Sequence, residues 1–421
     1  MMLKKKIYLD YASTTPLDKK VFMAMKPYFF EKFGNPGNLY HSGRVAKKAI
    51  DIARRKMEKI INCDPGEIIF NASATEADNL AILGIARANK KFGNKIIISN
   101  IEHKGIHSSA RLLADEDFDV VEIPVGSNGL ISPGKISKAL DKKTILVSVT
   151  YADSETGTVQ PIEKISKVIK KFRAGKGAPP YFHTDASQAF SYLDSDVKKL
   201  GVDAMTISAH KIYGPKGIAA LYIRKGIAMT PVIIGGGQQN NLRSGTQNVP
   251  AIVGFAESAV ITKRMRKKEY LRLKKLRDIL EKGIFRMVPK VVLNGHPQNR
   301  LPNFLNVSFL DIEGEAALLY FDNANVEVST GSACDSETLE PSRVLLALGR
   351  SYEHVHGSIR FSLGRHTTAE EIRQVLRIIP GIIKKLRVIS PLDLKLNESK
   401  KISRPEAFAG GRAPHFLRNK K

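Results

Sequence analysis

The 421-residue sequence has only two cysteines, Cys63 and Cys334. Two thiols cannot build a disulfide framework, and by themselves they do not form a metal cluster. So few cysteines are typical of a reducing compartment, where a free thiol remains available for chemistry. We therefore expect neither disulfides nor a metal site.

Long apolar runs are also missing. Stretches such as 96–98, 145–147 and 344–348 are far too short to cross a bilayer. Residues 1–8 are basic but contain neither the apolar stretch nor the small-residue cleavage site of a secretory signal. The sequence therefore predicts a cytoplasmic protein without a membrane segment.

Acidic residues are scarce, with 41 Asp and Glu against 67 Lys and Arg, a net charge of +26. Such a charge favours contact with nucleic acid, acidic proteins or anionic membranes. Apolar residues interrupt the basic run 263–277, as in a solvated helix with one buried face: Met265, Leu271, Leu273 and Leu276. The sequence has no zinc finger, RNP-like or other nucleic-acid motif. A solvated basic surface and an RNA site therefore stay open as alternatives.

Short β-rich runs alternate with helical patterns over most of the chain. The predicted strands are 67–70, 95–99, 120–124, 144–150, 181–184, 204–208 and 219–223. Helical patterns lie between them, at 76–92, 132–140, 162–172 and 187–200. This alternation predicts an α/β fold with a mainly parallel central sheet covered by helices on both faces.

The pattern changes after residues 235–237. A long basic helix at 250–286 leads into strands at 291–293, 304–309, 326–329 and 358–362 and a helix at 369–386. A chain of 421 residues also exceeds the size at which one core keeps growing. We predict a large domain (15–262), a smaller α+β domain (1–14 and 263–388) and a basic, flexible tail (389–421).

Lys211 lies at the end of a short apolar strand, just before a Gly-Pro turn. Ligands bind at such strand ends in α/β folds. An amine there can be partly desolvated, which lowers its pKa as Schiff-base chemistry requires. A lysine beside such a turn is more often an ordinary surface residue, so the neighbouring segments decide between the two interpretations.

Two other strand ends carry suitable groups. Asp185 follows a strand, where it can cap a helix or keep the pyridine nitrogen of a cofactor protonated. The stretch 71–79 opens a helix with small residues, whose free N–H groups can hold a phosphate. A plain capping box from Thr75 to Asp78 is compatible with that role. Together with Lys211, these segments fit pyridoxal phosphate (PLP) chemistry.

From residue 8 to about 386 the sequence resembles the NifS/IscS-type cysteine desulfurases, a PLP-dependent family of the class V aminotransferase group. The resembling stretches occur in order along the chain: 8–18, 33–44, 71–84, 100–106, 183–190, 208–217, 243–250, 329–349 and 358–365. The resemblance implies a PLP-dependent transferase of fold type I, a homodimer with shared sites, and L-cysteine as substrate.

The resemblance also implies roles for individual residues. Lys211 would carry PLP as a Schiff base, Asp185 would pair with the pyridine nitrogen, and Gln188 would hydrogen-bond the ring hydroxyl. His103 would stack on the ring and transfer protons. The phosphate would be held by Ala74, Thr75, Ser208, His210 and the Thr246 of a partner subunit. Arg360, whose fork suits a carboxylate, would bind the substrate.

Cys334 lies in the run 329–339, where small and polar residues predict a mobile loop. Cys63 follows apolar residues and is therefore expected to be structural. In the family that the sequence resembles, a cysteine at this position of the loop attacks the substrate sulfur and carries it away as a persulfide. The acceptor would be an iron–sulfur scaffold or a tRNA-thiolation protein, and the sequence does not choose between them.

The match departs from the family at Ser154, where an asparagine usually contacts cofactor and substrate; Ser154 is still assigned to both roles. Asp153 adds a carboxylate beside it. These changes weaken the assignment of the substrate more than they weaken the assignment of PLP chemistry to Lys211 and Cys334. The alternatives are a selenocysteine lyase or an aminotransferase of the same group, a catalytically idle scaffold, and a primary RNA-binding protein.

Overall fold

The computed structural model describes residues 6–174, 179–330 and 341–390. Numbered along the chain, the strands of the central sheet are β2 (Ile68–Asn71), β3 (Lys95–Ser99), β4 (Asp119–Ile123), β5 (Thr144–Ser148), β6 (Tyr181–Asp185), β7 (Ala204–Ser208) and β8 (Ala219–Ile223). Their spatial order is β2-β8-β7-β6-β5-β3-β4. Only β8 among them runs antiparallel to its neighbours. The predicted mainly parallel sheet is confirmed.

Helices cover both faces of this sheet. They are α3 (His41–Ile61), α4 (Ala74–Asn79), α5 (Ile85–Ala88), α6 (Lys104–Ala114), α7 (Pro133–Ala139), α8 (Ile162–Arg173) and α9 (Val197–Leu200). Alternate residues of β3 enter opposite cores: Ile97 packs with α3, whereas Ile96 and Ile98 pack with α6. Because both faces are buried, the strands are almost continuously apolar rather than alternating.

Two predicted helices differ from the observed structure. The pattern at 76–92 is divided into α4, a π-helical turn at Leu80–Gly84, α5 and a 3₁₀ turn at Lys90–Phe92. The prediction at 187–200 is wrong, because only α9 is an α-helix there. Asp196 caps that helix through bonds of 3.0 Å from the N–H groups of Lys198 and Lys199. Side-chain bonds of this kind compete with helix formation in the residues before the cap.

A second layer of structure follows α10 (Val249–Met287). The strands β9 (Val291–Asn294), β10 (Phe304–Phe309) and β12 (Ser358–Ser362) form an antiparallel sheet in the order β12-β10-β9. A short parallel pair joins β1 (Ile7–Tyr8) to β11 (Val326–Glu327). The remaining helices are α1 (Lys19–Met25), α2 (Pro27–Phe30), α11 (Gly314–Asn323), α12 (Arg343–Ala347), α13 (Tyr352–His356) and α14 (Ala369–Ile389).

The long helix α10 joins the two cores. Phe255 lies in the core of the large sheet, whereas Leu273 and Leu280 pack with Phe309 in the smaller one. Leu271, expected on the buried face, is instead 60% exposed, because it lies on the side of the helix opposite the buried Leu273. The predicted domain limits stay a prediction, since α10 runs unbroken across them. No described helix is long and apolar enough to span a bilayer, and the predicted tail beyond residue 390 lies outside the described residues.

We expect Leu280→Ala to lower the free energy of unfolding by about 2–5 kcal/mol, because Leu280 is fully buried and truncation leaves a cavity. Leu271→Ala, in the same helix, provides the matched control and should change it by less than about 0.5 kcal/mol. Urea denaturation followed by circular dichroism measures both. Equal losses in the two variants would contradict the assignment of the buried face.

Candidate functional site

The candidate site lies at the carboxyl ends of the parallel strands. Asp185 ends β6, Ser208 ends β7, and the turn after β2 leads into α4. His103 follows β3 by a few residues and begins α6. Since parallel strands end at one edge of a sheet, four distant segments of sequence converge here.

Lys211 is the last residue of a 3₁₀ turn, Ala209–Lys211, that directly follows β7. The turn is held by Thr15, whose hydroxyl donates to the His210 carbonyl at 2.7 Å and accepts from the Tyr213 N–H at 2.8 Å. The positive charge of Lys211 helps to lower the pKa of both His103 and His210. The side chain is half-buried, as expected for a partly desolvated amine.

Asp185 lies among other acids. Its carboxylate accepts from the Ser187 N–H at 2.8 Å. Burial raises the pKa of Asp78 well above its usual value, with Asp185 adding to the effect, and raises the pKa of Glu102 to about 8. The carboxyl of Glu102 is therefore mainly protonated at neutral pH, and that of Asp78 keeps its proton to a higher pH than usual. They add little negative charge beside Asp185, which leaves it available for a cationic partner.

The two histidines near this carboxylate are neutral at physiological pH. Burial lowers the pKa of His183 to about 4, and its ring nitrogens contact the hydroxyls of Ser148 and Thr206 at 2.9 and 3.1 Å. Burial and the Lys211 charge lower the pKa of His103. The Nδ1 of His103 accepts from the Gly105 N–H at 3.1 Å, so its proton is on Nε2.

The groups expected to hold a phosphate fit such a ligand. Ser73 caps α4, so Ala74 and Thr75 form its first turn. The Ser208 hydroxyl is buried and has no hydrogen-bond partner among the described residues. A buried hydroxyl of this kind is costly unless a ligand completes its bonding. His210, whose pKa burial lowers to about 4, contacts the Thr14 hydroxyl at 3.1 Å.

The side chain of Arg360, on β12, is buried and is already hydrogen-bonded to several groups of the protein. Its Nη2 donates to the Asp10 carboxylate at 2.7 Å and to the Ser13 hydroxyl at 2.8 Å, and its Nη1 donates to the Ser154 carbonyl at 3.0 Å. Ser154 thus reaches Arg360 through its backbone. Asp153, expected to add a carboxylate here, uses that carboxylate within its own turn, where it accepts from the Thr156 hydroxyl at 2.8 Å.

The remaining expected residues are less tightly connected to this centre. The Gln188 amide donates to the Ala12 carbonyl at 3.0 Å, and Thr246 is exposed in the single chain. Cys334 lies outside the described residues. Cys63 is half-buried, and burial raises the pKa of its thiol to about 12. Among the described residues no cluster of His, Cys, Asp and Glu could hold a metal ion.

Sequence reasoning missed three acids of the site. Asp10 binds Arg360, and Asp78 and Glu102 each lie near enough to Asp185 to interact with its charge. Asp78 and Asp10 lie inside stretches singled out on other grounds, and Glu102 precedes His103. Asp78 and Glu102 are buried, and Asp10 is held by a buried arginine. These properties follow from tertiary packing, which no local pattern reveals.

Comparison with known proteins agrees with this arrangement. The aminotransferase class-V family profile matches residues 7–375. The chain is 45% identical to a cysteine desulfurase IscS of Dictyoglomus turgidum, over 95% of this chain and 100% of that protein. It is 44% identical to cysteine desulfurase IscS 1 of Archaeoglobus fulgidus, over 91% of this chain and 99% of that protein. A solved NifS-like protein superposes with a TM-score of 0.85 at 34% identity, over 91% and 100% of the two chains.

We expect Lys211→Ala to remove the visible absorption of protein-bound PLP, because the Lys211 amine directly after β7 is the group that would form the Schiff base. Lys216→Ala is the matched control, since Lys216 is exposed in the same turn. The measurement is an absorption spectrum after incubation with PLP and gel filtration, with circular dichroism to monitor folding. A normal spectrum in the folded Lys211 variant would refute the assignment.

Proposed function

The chain belongs to the aminotransferase class-V family and is a PLP-dependent cysteine desulfurase, and from that premise we propose that Cys334 receives the sulfur. The observation that carries the site assignment is the meeting of Lys211, Asp185 and the unpartnered Ser208 hydroxyl at one edge of the sheet. Bound PLP supplies an electron sink for negative charge that develops on the substrate carbons.

Individual residues of the chain carry out the proton transfers and bind the substrate and the cofactor. Asp185 holds a proton on the pyridine nitrogen, and the Lys211 amine takes the substrate α-proton. Neutral His103 transfers protons through Nε2. Arg360 binds the substrate carboxylate, and the Ser154 carbonyl keeps its guanidinium oriented. The remaining phosphate and ring contacts come from Ala74, Thr75, His210, Gln188 and, in a dimer, Thr246.

The sulfur transfer is a displacement at sulfur. The Cys334 thiolate forms a new S–S bond, the substrate C–S bond breaks, and its electron pair stays on Cβ, which then gains a proton. One L-cysteine and one thiol therefore give one L-alanine and one Cys334 persulfide, without an external oxidant. Only a thiolate is a good nucleophile, so the high pKa of Cys63 excludes that residue.

We expect Cys334→Ala to keep the absorption of bound PLP but to form no L-alanine and no persulfide from L-cysteine. Cys63→Ala, the matched control, should retain both products. Alanine is measured by amino-acid analysis and the persulfide by the mass of the peptide that contains Cys334. Alanine formation at the normal rate in the Cys334 variant would disprove the role of Cys334.

We also propose that two copies of the chain form a dimer in which Thr246 reaches the partner's site. Large apolar side chains are exposed in the single chain, with Phe33 at 74%, Leu39 at 89% and Ile234 at 85%. Exposed apolar side chains of this size, where they form a contiguous patch, mark an interaction surface. A second copy, related by a twofold axis, would cover these residues.

The double variant Phe33→Asp, Leu39→Asp should therefore sediment as a monomer and bind PLP more weakly, whereas the unmodified chain sediments as a dimer. Phe92→Asp is the control. Phe92 is exposed but directly precedes β3, so it lies at the amino ends of the parallel strands, away from the candidate site. Analytical ultracentrifugation measures the mass of each form. A monomeric unmodified chain, or a dimeric double variant, would overturn this proposal.

We propose a cytoplasmic enzyme that passes the persulfide sulfur to an acceptor protein. Several relatives carry the name cysteine desulfurase IscS, which favours an iron–sulfur scaffold over a tRNA-thiolation protein as the acceptor. Incubating each class of acceptor with the persulfide form, and measuring sulfur on the acceptor by mass spectrometry, distinguishes the two.

A further inference from the structure

Two anchors hold the described residues on either side of the segment 331–340, which contains Cys334. We propose that Arg343 is a positioning residue for sulfur transfer: it fastens the chain that follows Cys334 to the loop that carries His103. The proposal rests on the proposed role of Cys334 and adds a residue to it.

Arg343 is the first residue of α12 and is half-buried. Its guanidinium donates through Nη1 to the Asn100 carbonyl at 3.2 Å and through Nη2 to the Glu102 carbonyl. Both carbonyls belong to the short connection between β3 and His103. A planar guanidinium can bond two carbonyls at once from fixed positions, whereas a lysine amine cannot reproduce this fork.

Ser342, the residue before Arg343, makes a second contact with the large sheet's loops. Its hydroxyl donates to the Glu155 carboxylate and also accepts from the Leu345 N–H at 3.0 Å, which caps α12. Glu155 follows Ser154, whose carbonyl binds Arg360. The start of α12 is therefore tied both to the His103 loop and to the turn that orients the proposed substrate-binding arginine.

The other end of the segment is fixed to β12. The Arg360 N–H donates to the Ser329 carbonyl at 2.7 Å, and the Ser329 N–H donates back to the Arg360 carbonyl at 3.2 Å. Thr330 and Pro341, on the two sides of the segment, line one cavity of about 290 Å³. The described residues on both sides of the segment are thus bonded to the candidate site, Ser329 to Arg360 and Arg343 to the loop before His103.

The Arg343 charge also acts on His103. Three charged groups face this imidazole: Lys211 and Arg343 lower its pKa, Asp185 raises it, and burial lowers it most. Loss of the Arg343 cation should therefore raise the pKa of His103. Since a histidine with a higher pKa stays protonated to higher pH, the acidic limb of alanine formation should move to higher pH. A purely structural contact would not produce that shift.

The test uses full-length holoenzyme carrying Arg343→Gln, Arg343→Lys or, as control, Arg377→Gln, whose side chain is 69% exposed. Two steps are measured across pH with L-cysteine: exchange of the substrate α-proton in D₂O, which precedes sulfur transfer, and single-turnover formation of alanine and Cys334 persulfide. Displacing the thiol by about 1 Å costs up to about 100-fold in rate.

We expect Arg343→Gln to leave α-proton exchange within about twofold of the unmodified enzyme, to slow alanine formation by about 10–100-fold, and to shift its acidic limb upward. Arg343→Lys keeps the charge, so it should restore the pH profile but not the rate. Unchanged alanine formation in Arg343→Gln, or equal loss of both steps, overturns the positioning role. If Cys334→Ala still forms alanine, the proposed function fails instead, whatever the Arg343 variants do.

Discussion

The guanidinium of Arg360 is almost completely buried, and a buried cation is stable only if partners inside the protein replace its water. Those partners come from two distant parts of the chain: Asp10 and Ser13 near the beginning, and the Ser154 carbonyl in the large sheet's loops. The need to satisfy one cation thus draws the first residues, the turn after β5 and the small sheet to a single point. The relative position of the two cores beside the site depends on these bonds.

A second constraint of the same kind acts on the buried acidic residues of the large sheet. Asp78 and Glu102 are buried beside Asp185, and three carboxylates could not all be ionised in so small a volume. Burial raises the pKa of Asp78 and Glu102, which reduces the negative charge placed next to the Asp185 carboxyl. Asp185 and the Lys211 amine thus lie at one edge of the sheet. PLP chemistry requires a carboxylate and an amine around the same bound cofactor.

Much of this arrangement could be predicted from the sequence, because strand ends leave a local signature. Asp185 and Lys211 follow apolar runs, and parallel strands bring such positions together whatever lies between them. The helix predicted at 187–200 failed because the residues before α9 use side-chain bonds that local propensity does not weigh. Leu271 was wrongly placed on the buried face, because it lies on the side of α10 opposite Glu269, Leu273 and Leu280 and therefore faces solvent.

The contact between Ser154 and Arg360 could not be predicted from the identity of residue 154 alone. A side-chain comparison treats serine in place of asparagine as the loss of an amide, yet the bond to Arg360 comes from the backbone carbonyl, which any residue provides. The Nε of Arg360 is buried without a hydrogen-bond partner among the described residues, while Nη2 is held by Asp10 and Ser13. A substrate carboxylate that binds this arginine therefore meets one unsatisfied donor and competes with Asp10 for another. In the proposed role of Arg360, the strength of the Arg360–Asp10 pair therefore affects how tightly a substrate carboxylate binds.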